Sequence, residues 1–271
     1  MITRVLKKII VYLFLTIAFI FSVFPFYWMI TGMTNSAVDV VKGKMTFGNQ
    51  FGQNIQALFK SYNIGRIFFN SVKISVLTVL FSLIICSMAA YGFEFYKSKK
   101  RERIYGILLL SMMVPFGALM IPLFKLIVKV KLMNTHSGII LVSVTSVFLI
   151  FFFRQNLKVF PKEIIQAARV DGAGEFRIFY SIVIPSMKST FAAAAIFAFM
   201  TSWNSYLWPL IVLQTDNQKT MTLLISTLSS AYNPQYGVIM TAIVIATLPM
   251  IIVFFTLQKH FVQGITGSIK Q

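Results

Sequence analysis

The chain has 271 residues, of which 57% are hydrophobic and 12% are charged, and its mean hydropathy is +0.79. This composition lies far outside the range of soluble domains and indicates an integral membrane protein. The net charge is +18, but the basic residues stand in short runs beside apolar segments, which is typical of membrane topology signals and argues against a nucleic-acid partner. The single cysteine, Cys86, excludes a disulfide within the chain.

Six apolar runs are long enough to cross a bilayer core of about 30 Å. They lie near 9–31, 71–93, 104–124, 138–153, 188–209 and 238–258. They are uniformly apolar and lack the alternation of barrel strands, so the sequence predicts an all-α integral membrane fold with six transmembrane helices. Pro115, Pro122 and Pro249 remove backbone donors, and we expect local bends at these positions.

Lysine and arginine set the expected orientation, because positive residues are retained on the cytoplasmic side of a membrane. Six spans place most of the 25 basic residues on one side, including Arg4, the run from Lys97 to Arg103, and Lys259. The chain is therefore predicted to be a multi-pass protein of the cell membrane with both termini in the cytoplasm.

The segment 161–185 interrupts the apolar sequence between the fourth and fifth spans. Residues 162–185 carry six charges, and burying them would cost on the order of 15–20 kcal/mol, so this segment is predicted to lie outside the membrane. Pro161 suits a first helical turn, and Glu163 places negative charge at the positive end of that helix. Asp171-Gly172 then predicts a turn.

A second helix is predicted after this turn. Phe176, Phe179 and Val183 recur near helical spacing and predict an apolar face against the membrane or neighbouring spans. Pro185 is expected to end the unit. The whole segment is predicted to be a helix, a turn and a second helix at the cytoplasmic surface, with small alanines that allow another protein to approach closely.

Aromatic and polar side chains cluster near the predicted outer end of the fifth span. Trp203, Asn204, Tyr206 and Trp208 combine apolar faces with hydrogen-bonding groups, a combination that suits recognition of sugars. Two interpretations remain open at this point. The cluster either lines a translocation path or forms an aromatic belt at the membrane interface, where Trp and Tyr are common.

The run QAARVDG, nine further residues and IVIP resemble the EAA motif in the membrane subunits of ATP-binding-cassette (ABC) importers. That pattern is Glu-Ala-Ala, three residues, Gly, nine residues and Ile-x-Leu-Pro, and Gly172 and Pro185 stand at the matching positions. Gln166 departs from the motif's glutamate, so an ion pair there would become a neutral hydrogen bond. WNSYLWPL and QGITG are similar to the second membrane subunit of the maltose-type carbohydrate importers.

The resemblance implies the type I importer fold. Residues 1–60 would form the first transmembrane helix and an extracytoplasmic loop, and residues 61–271 the permease core with the EAA loop 161–185. The loop would be a coupling helix that docks on a cytoplasmic ATPase. The residues expected to make this contact are Gln166, Ala167, Ala168, Asp171, Gly172 and Ala173.

The resemblance also implies the partners. These are a second homologous permease subunit, a dimer of ABC ATPases and an extracytoplasmic sugar-binding protein. The chain lacks the G-x-x-x-x-G-K-[ST] phosphate loop, so ATP and Mg²⁺ are expected to be used by the ATPase and no cofactor by this chain. No catalytic constellation or metal site is expected.

Two other functions remain open from the residues alone. A secondary transporter would place ionisable residues within its spans and often shows inverted repeats, and neither feature is evident here. A structural subunit of a membrane complex is the other alternative.

Overall fold

The computed structural model describes residues 2–266, and every regular element in that range is helical. The helices are α1 (Ile2–Gly32), α2 (Ala37–Val41), α3 (Phe51–Ser61), α4 (Ile64–Phe95), α5 (Lys99–Ser111), α6 (Phe116–Lys129), α7 (His136–Ser143), α8 (Val147–Lys158), α9 (Lys162–Val170), α10 (Glu175–Ile178), α11 (Ile184–Ser186), α12 (Lys188–Trp203), α13 (Leu207–Val212), α14 (Met221–Ser229) and α15 (Tyr236–Thr266). A π-helical turn (Phe179–Val183) joins α10 to α11, and a 3₁₀ turn (Asp216–Gln218) precedes α14.

Three of the predicted spans are continuous helices. Val5–Gly32, Ile64–Phe95 and Tyr236–Lys259 are 28, 32 and 24 residues long, and each is apolar enough to cross a membrane. At about 1.5 Å per residue, all three exceed the thickness of a bilayer core. They correspond to the first, second and sixth predicted spans.

The other three predicted spans are interrupted. The helices α5 and α6 meet at 105°, α7 and α8 at 40°, and the helical segment Glu175–Ser186 meets α12 at 84°. If each bent pair is one span, the described part of the chain has up to six. The first two bends fall inside the predicted spans 104–124 and 138–153, whereas the 84° bend precedes 188–209, which is itself broken at 204–206 between α12 and α13. Mean hydropathy does not report whether the backbone is continuous.

Only one of the three prolines expected to produce bends lies at a break. Pro115 is the residue before α6, directly after the 105° change of direction. Pro122 and Pro249 lie inside α6 and α15, which continue through them as single helices.

The chain divides into two compact units. One extends to Ile64 and includes Leu224–Leu248, and the other contains Gly65–Leu223 and the segment that starts at Pro249. The return of Leu224–Leu248 to the first unit was not predicted.

Gly237, near the start of α15, packs closely against a hydrogen-bonded loop of the first unit. Asn54 donates from Nδ2 to the backbone oxygens of Met33 and Asn35, at 2.9 and 3.0 Å. Gly237 lies against the same two asparagines, and a Cβ there would collide with the Asn35 carbonyl and the Asn54 amide. Glycine therefore allows the start of α15 to pack against this loop.

In the described part of the second unit, buried apolar side chains gather around Phe153 and around Ile127. The cluster around Phe153 includes Ile165, Ile178 and Val183, so the segment 161–185 is part of this core. The cluster around Ile127 includes Trp208 and Val212. The first cluster fixes the loop and the second fixes the aromatic segment after α12.

Candidate functional site

The first helix of the loop, α9, has one buried and one exposed face. Ile165 and Ala168 are 1% and 8% exposed and pack in the core around Phe153. The exposed face consists of Glu163, Gln166, Ala167 and Val170, which lie together at helical spacing. Glu163 lies in the first turn and Arg169 in the last, so both charges complement the helix dipole.

The turn predicted at Asp171-Gly172 is confirmed, and its geometry is a Schellman motif. The N–H of Ala173 donates to the Ala168 carbonyl at 2.9 Å, and the N–H of Gly172 donates to the Arg169 carbonyl at 3.0 Å. Gly172 has a φ of +79°, a conformation that side chains with a Cβ resist. A Cβ at this position would contact nothing within 4 Å, so the requirement for glycine is conformational.

The second helix continues further than expected. It runs through α10, the π turn and α11, and ends at Ser186, one residue after Pro185. The buried residues are Ile178, Phe179 and Val183.

Within the apolar face predicted to lie against the membrane or neighbouring spans, Phe179 and Val183 are buried, whereas Phe176 is 69% exposed. The π turn inserts an extra residue per turn between Phe179 and Val183, and both of these side chains lie in the core around Phe153.

The six residues predicted to contact an ATPase do not share one surface. Gln166, Ala167, Asp171 and Gly172 are exposed, whereas Ala168 is buried and Ala173 is half-buried against the same core. The motif thus contains two kinds of position. The exposed residues are available to a partner, and the buried alanines hold the loop against its own protein.

Val170 belongs to the exposed face and was missed. It is 88% exposed although it is apolar, and it lies one helical turn after Gln166 and Ala167. Val170 adds apolar area to the exposed face of α9.

A second candidate site is a cavity of about 600 Å³ in the second unit. Asn204, Tyr206 and Trp208 line it, as do eight hydroxyl residues. These hydroxyl residues are Thr78, Ser82, Ser143, Thr145, Ser146, Thr201, Ser202 and Ser205. A hydroxyl-rich cavity with aromatic walls can hold a polar, uncharged ligand through hydrogen bonds and stacking.

Trp208 is fixed at the wall of this cavity. Its Nε1–H donates to the Gly138 carbonyl at 3.1 Å, and its ring meets Phe116 edge-on with centroids 6.2 Å apart. Since it is 3% exposed, its main contribution is to hold α13 against α7.

Trp203 does not line the cavity, unlike Asn204, Tyr206 and Trp208. It is 4% exposed and stacks on Phe199, with ring centroids 5.5 Å apart, and its backbone oxygen accepts from the Thr222 hydroxyl at 2.7 Å. Its ring also meets the Phe68 ring edge-on, with centroids 6.0 Å apart, so the role of Trp203 is structural. The aromatic cluster of the sequence is therefore divided between the cavity wall and the core.

The hydroxyl residues of α4 were missed, although the sequence contained a signal for them. Ser71, Ser75, Thr78 and Ser82 recur at spacings of four, three and four residues and are all at most 4% exposed. Such a stripe of small polar residues along one face of an apolar helix is typical of a packed or cavity-lining surface. Thr78 and Ser82 reach the cavity.

Within the range that the structure describes, no group of three or more His, Cys, Asp and Glu residues could hold a metal ion.

Comparisons with known proteins identify the family. Residues 82–267 match the model of the binding-protein-dependent transport system inner membrane component. The lactose transport system permease protein LacG of Rhizobium radiobacter is 49% identical over 267 residues, which are 98% of each chain. The arabinooligosaccharides transport system permease protein AraQ of Bacillus subtilis is 40% identical over 204 residues, covering 75% of this chain and 73% of AraQ.

The fold also matches a solved structure, a bacterial ABC transporter involved in the import of the acidic polysaccharide alginate. The TM-score is 0.83 over 96% of this chain and 98% of the other, and the identity is 21%, so this comparison establishes the fold alone. With the helical membrane fold and the family match over most of its length, the chain belongs to the binding-protein-dependent transport system inner membrane components: it is a multi-pass permease subunit of an ABC importer and not an enzyme.

Proposed function

We propose that this permease subunit imports a carbohydrate, most simply an oligosaccharide, by coupling ATP hydrolysis in a separate ATPase dimer to alternating access of a membrane pathway. The observation that carries the coupling role is the geometry of the loop. The helix α9 is closed by the Gly172 turn, is held by Ile165 and Ala168, and presents Gln166, Ala167 and Val170 outward.

The proposed ATPase contact combines close approach with an apolar centre. Ala167 lets a partner backbone approach, Val170 supplies apolar area, and Gln166 offers a neutral hydrogen-bonding group where the motif has glutamate. ATP and Mg²⁺ belong to the partner. A closing ATPase pair would move the loop as a rigid body.

The carbohydrate assignment rests on the relatives and the cavity. The names of LacG and AraQ refer to lactose and arabinooligosaccharides. The cavity wall is uncharged and mostly apolar, with hydroxyl groups and the side chains of Asn204 and Tyr206 among its residues, which fits a sugar better than an anionic substrate. A second permease subunit would complete the pathway, and an extracytoplasmic binding protein would deliver the sugar.

The orientation follows from the loop. If α9 contacts a cytoplasmic ATPase, the basic segments around Lys97 and Arg154 lie on the same side, and an even number of spans then places both termini in the cytoplasm.

The experiment is uptake by the complete complex in proteoliposomes, with this chain, its second permease, the ATPase and the binding protein. We expect uptake of a labelled oligosaccharide that requires ATP on the ATPase side and the loaded binding protein. Uptake that follows an ion gradient and ignores ATP would contradict the proposal and indicate a secondary transporter.

Ala167→Arg is expected to abolish ATP-driven uptake while the permease still inserts in the membrane. The matched control is Ala167→Ser, which keeps a small side chain at the same exposed position and should transport normally. Normal uptake by the arginine variant would show that the exposed face of α9 is not the coupling contact.

A further inference from the structure

The coupling loop makes a specific polar contact with the C-terminal end of α4. The hydroxyl of Tyr91 donates to Oε2 of Glu175 at 2.7 Å, and Tyr91 is only 6% exposed. The same carboxylate accepts two hydrogen bonds from Arg169, from Nε at 2.7 Å and from Nη2 at 3.3 Å. Glu175 thus connects both helices of the loop to α4. We call Tyr91, Arg169 and Glu175 the α4 clasp.

The charges of the clasp are well matched. The hydrogen bond from Arg169 lowers the pKa of Glu175, so the carboxylate is ionised at neutral pH. The ionised carboxylate accepts both hydrogen bonds of the Arg169 guanidinium. The Arg169 guanidinium also lies over the Tyr96 ring, 5.6 Å from its centroid. Arg101 lies near the same ring, at 5.5 Å, so Tyr96 extends the contact to the start of α5.

An apolar contact lies directly beneath the clasp. The Tyr91 ring meets Phe179 of the π turn edge-on at 5.5 Å and Phe95 at 4.9 Å. Apolar contacts of this kind hold two surfaces together but permit small sliding movements. The hydrogen bonds to Glu175 are directional and fix the loop in one register on α4.

The covalent route from the loop to the membrane passes through a sharp break. The second helix of the loop ends at Ser186, and α12 begins at Lys188 after a bend of 84°. Such a break can absorb a rigid-body movement of the loop by a change of backbone angles at Met187. The clasp offers a second route, into a helix that runs unbroken from Phe95 to Ile64.

We propose that Glu175, held by Arg169 and Tyr91, is a positioning residue that makes α4 move with the coupling loop, so that movement of the loop reaches the cavity wall at Thr78 and Ser82. This inference rests on the proposed function. None of the three clasp residues is among those that the EAA pattern specifies, and the clasp joins the loop to the helix that lines the cavity.

Folding of the loop does not depend on the clasp alone. The Schellman turn and the buried side chains of Ile165, Ile178 and Val183 stabilise the loop independently. Loss of the clasp is therefore expected to leave the loop folded and docked to the ATPase, with weaker transmission to α4.

The test measures the number of ATP molecules hydrolysed per sugar transported, in reconstituted complexes normalised to the amount of assembled complex. The variants are Tyr91→Phe, which removes only the hydroxyl, and Glu175→Gln. The matched control is Tyr180→Phe, which removes the hydroxyl of an exposed tyrosine next to the clasp.

We expect ATPase activity to persist in both clasp variants and the ATP per sugar ratio to rise on the order of tenfold, the effect of losing one hydrogen bond to a charged group. Tyr180→Phe should leave the ratio unchanged. The double variant Arg169→Glu with Glu175→Arg should have a lower ATP per sugar ratio than Glu175→Arg alone, because it reverses the ion pair and keeps it.

An unchanged ratio in Tyr91→Phe and Glu175→Gln would overturn the inference, and so would variants that only reduce the amount of assembled complex. The proposed function is tested separately by the wild type and Ala167→Arg. If these behave as proposed and the clasp variants match the wild type, only the role of the clasp is wrong.

Discussion

Arg154 and Glu94 form a buried ion pair, with Nε of the arginine 3.3 Å from Oε2 of the glutamate and side chains that are 4% and 1% exposed. Arg154 also pairs with Glu102 and lies 4.0 Å from the centroid of the Tyr105 ring. Lys97 approaches Glu94 at 2.7 Å from the more exposed side. This network joins α4, α5 and α8 at one end of the second unit.

Removing the arginine is expected to be costly. Arg154→Met would leave the buried Glu94 with Lys97 alone, and we expect a loss of about 3 kcal/mol of stability, at the low end for a broken buried pair. Thermal unfolding of the detergent-solubilised protein measures it. The double variant Arg154→Met with Glu94→Leu removes both buried charges and should recover much of the lost stability. If it does not, the ion pair between Arg154 and Glu94 is not the source of the loss.

The conformation of Gly172 predicts a second outcome. Gly172→Ala should loosen the loop at a cost of about 1–2 kcal/mol, because alanine resists the positive φ although its Cβ would meet no neighbour. Faster tryptic cleavage after Arg169 measures this effect. Gly174→Ala is the matched control, since Gly174 has a φ of −69° and equal space, and it should be neutral. Equal rates of tryptic cleavage in Gly172→Ala and Gly174→Ala would show that the positive φ of Gly172 is not what stabilises the loop.

The division of the aromatic cluster predicts a third outcome. Asn204→Ala, at the cavity wall, should raise the KM for sugar uptake by roughly tenfold, since about 1–2 kcal/mol of hydrogen bonding would be lost. Trp203→Phe, in the core, should lower thermal stability and leave the KM unchanged. An unchanged KM in Asn204→Ala would favour an interfacial role for this segment.

Apolar length identified the candidate spans and Pro115 the break before α6, but the sequence did not mark the other breaks. The break before α8 is stabilised locally, because Ser146 accepts a hydrogen bond from the N–H of Leu149 through its hydroxyl at 3.3 Å. Thr135 caps α7 in the same way, at 3.2 Å from the N–H of Gly138. Such caps look like ordinary polar residues in a hydropathy profile. Their effect depends on packing that hydropathy does not contain.

The loop was predicted well where its chemistry is local and poorly where it depends on tertiary contacts. The Asp171-Gly172 turn follows from glycine alone. The burial of Ala168 depends on the core around Phe153, which a short window of sequence does not contain. Arg154 was counted among the topology charges, because nothing in its neighbourhood in sequence reveals Glu94, 60 residues away.

The most direct measurement of the coupling claim is site-specific cross-linking between α9 and the ATPase in the assembled complex. A cysteine introduced by Ala167→Cys should cross-link to the ATPase, because this side chain is exposed on the proposed contact face. Ala168→Cys, one residue later but buried in the permease core, should not. Absence of a cross-link from position 167, or equal cross-linking from both positions, would contradict the proposal that this face of the loop couples the permease to ATP hydrolysis.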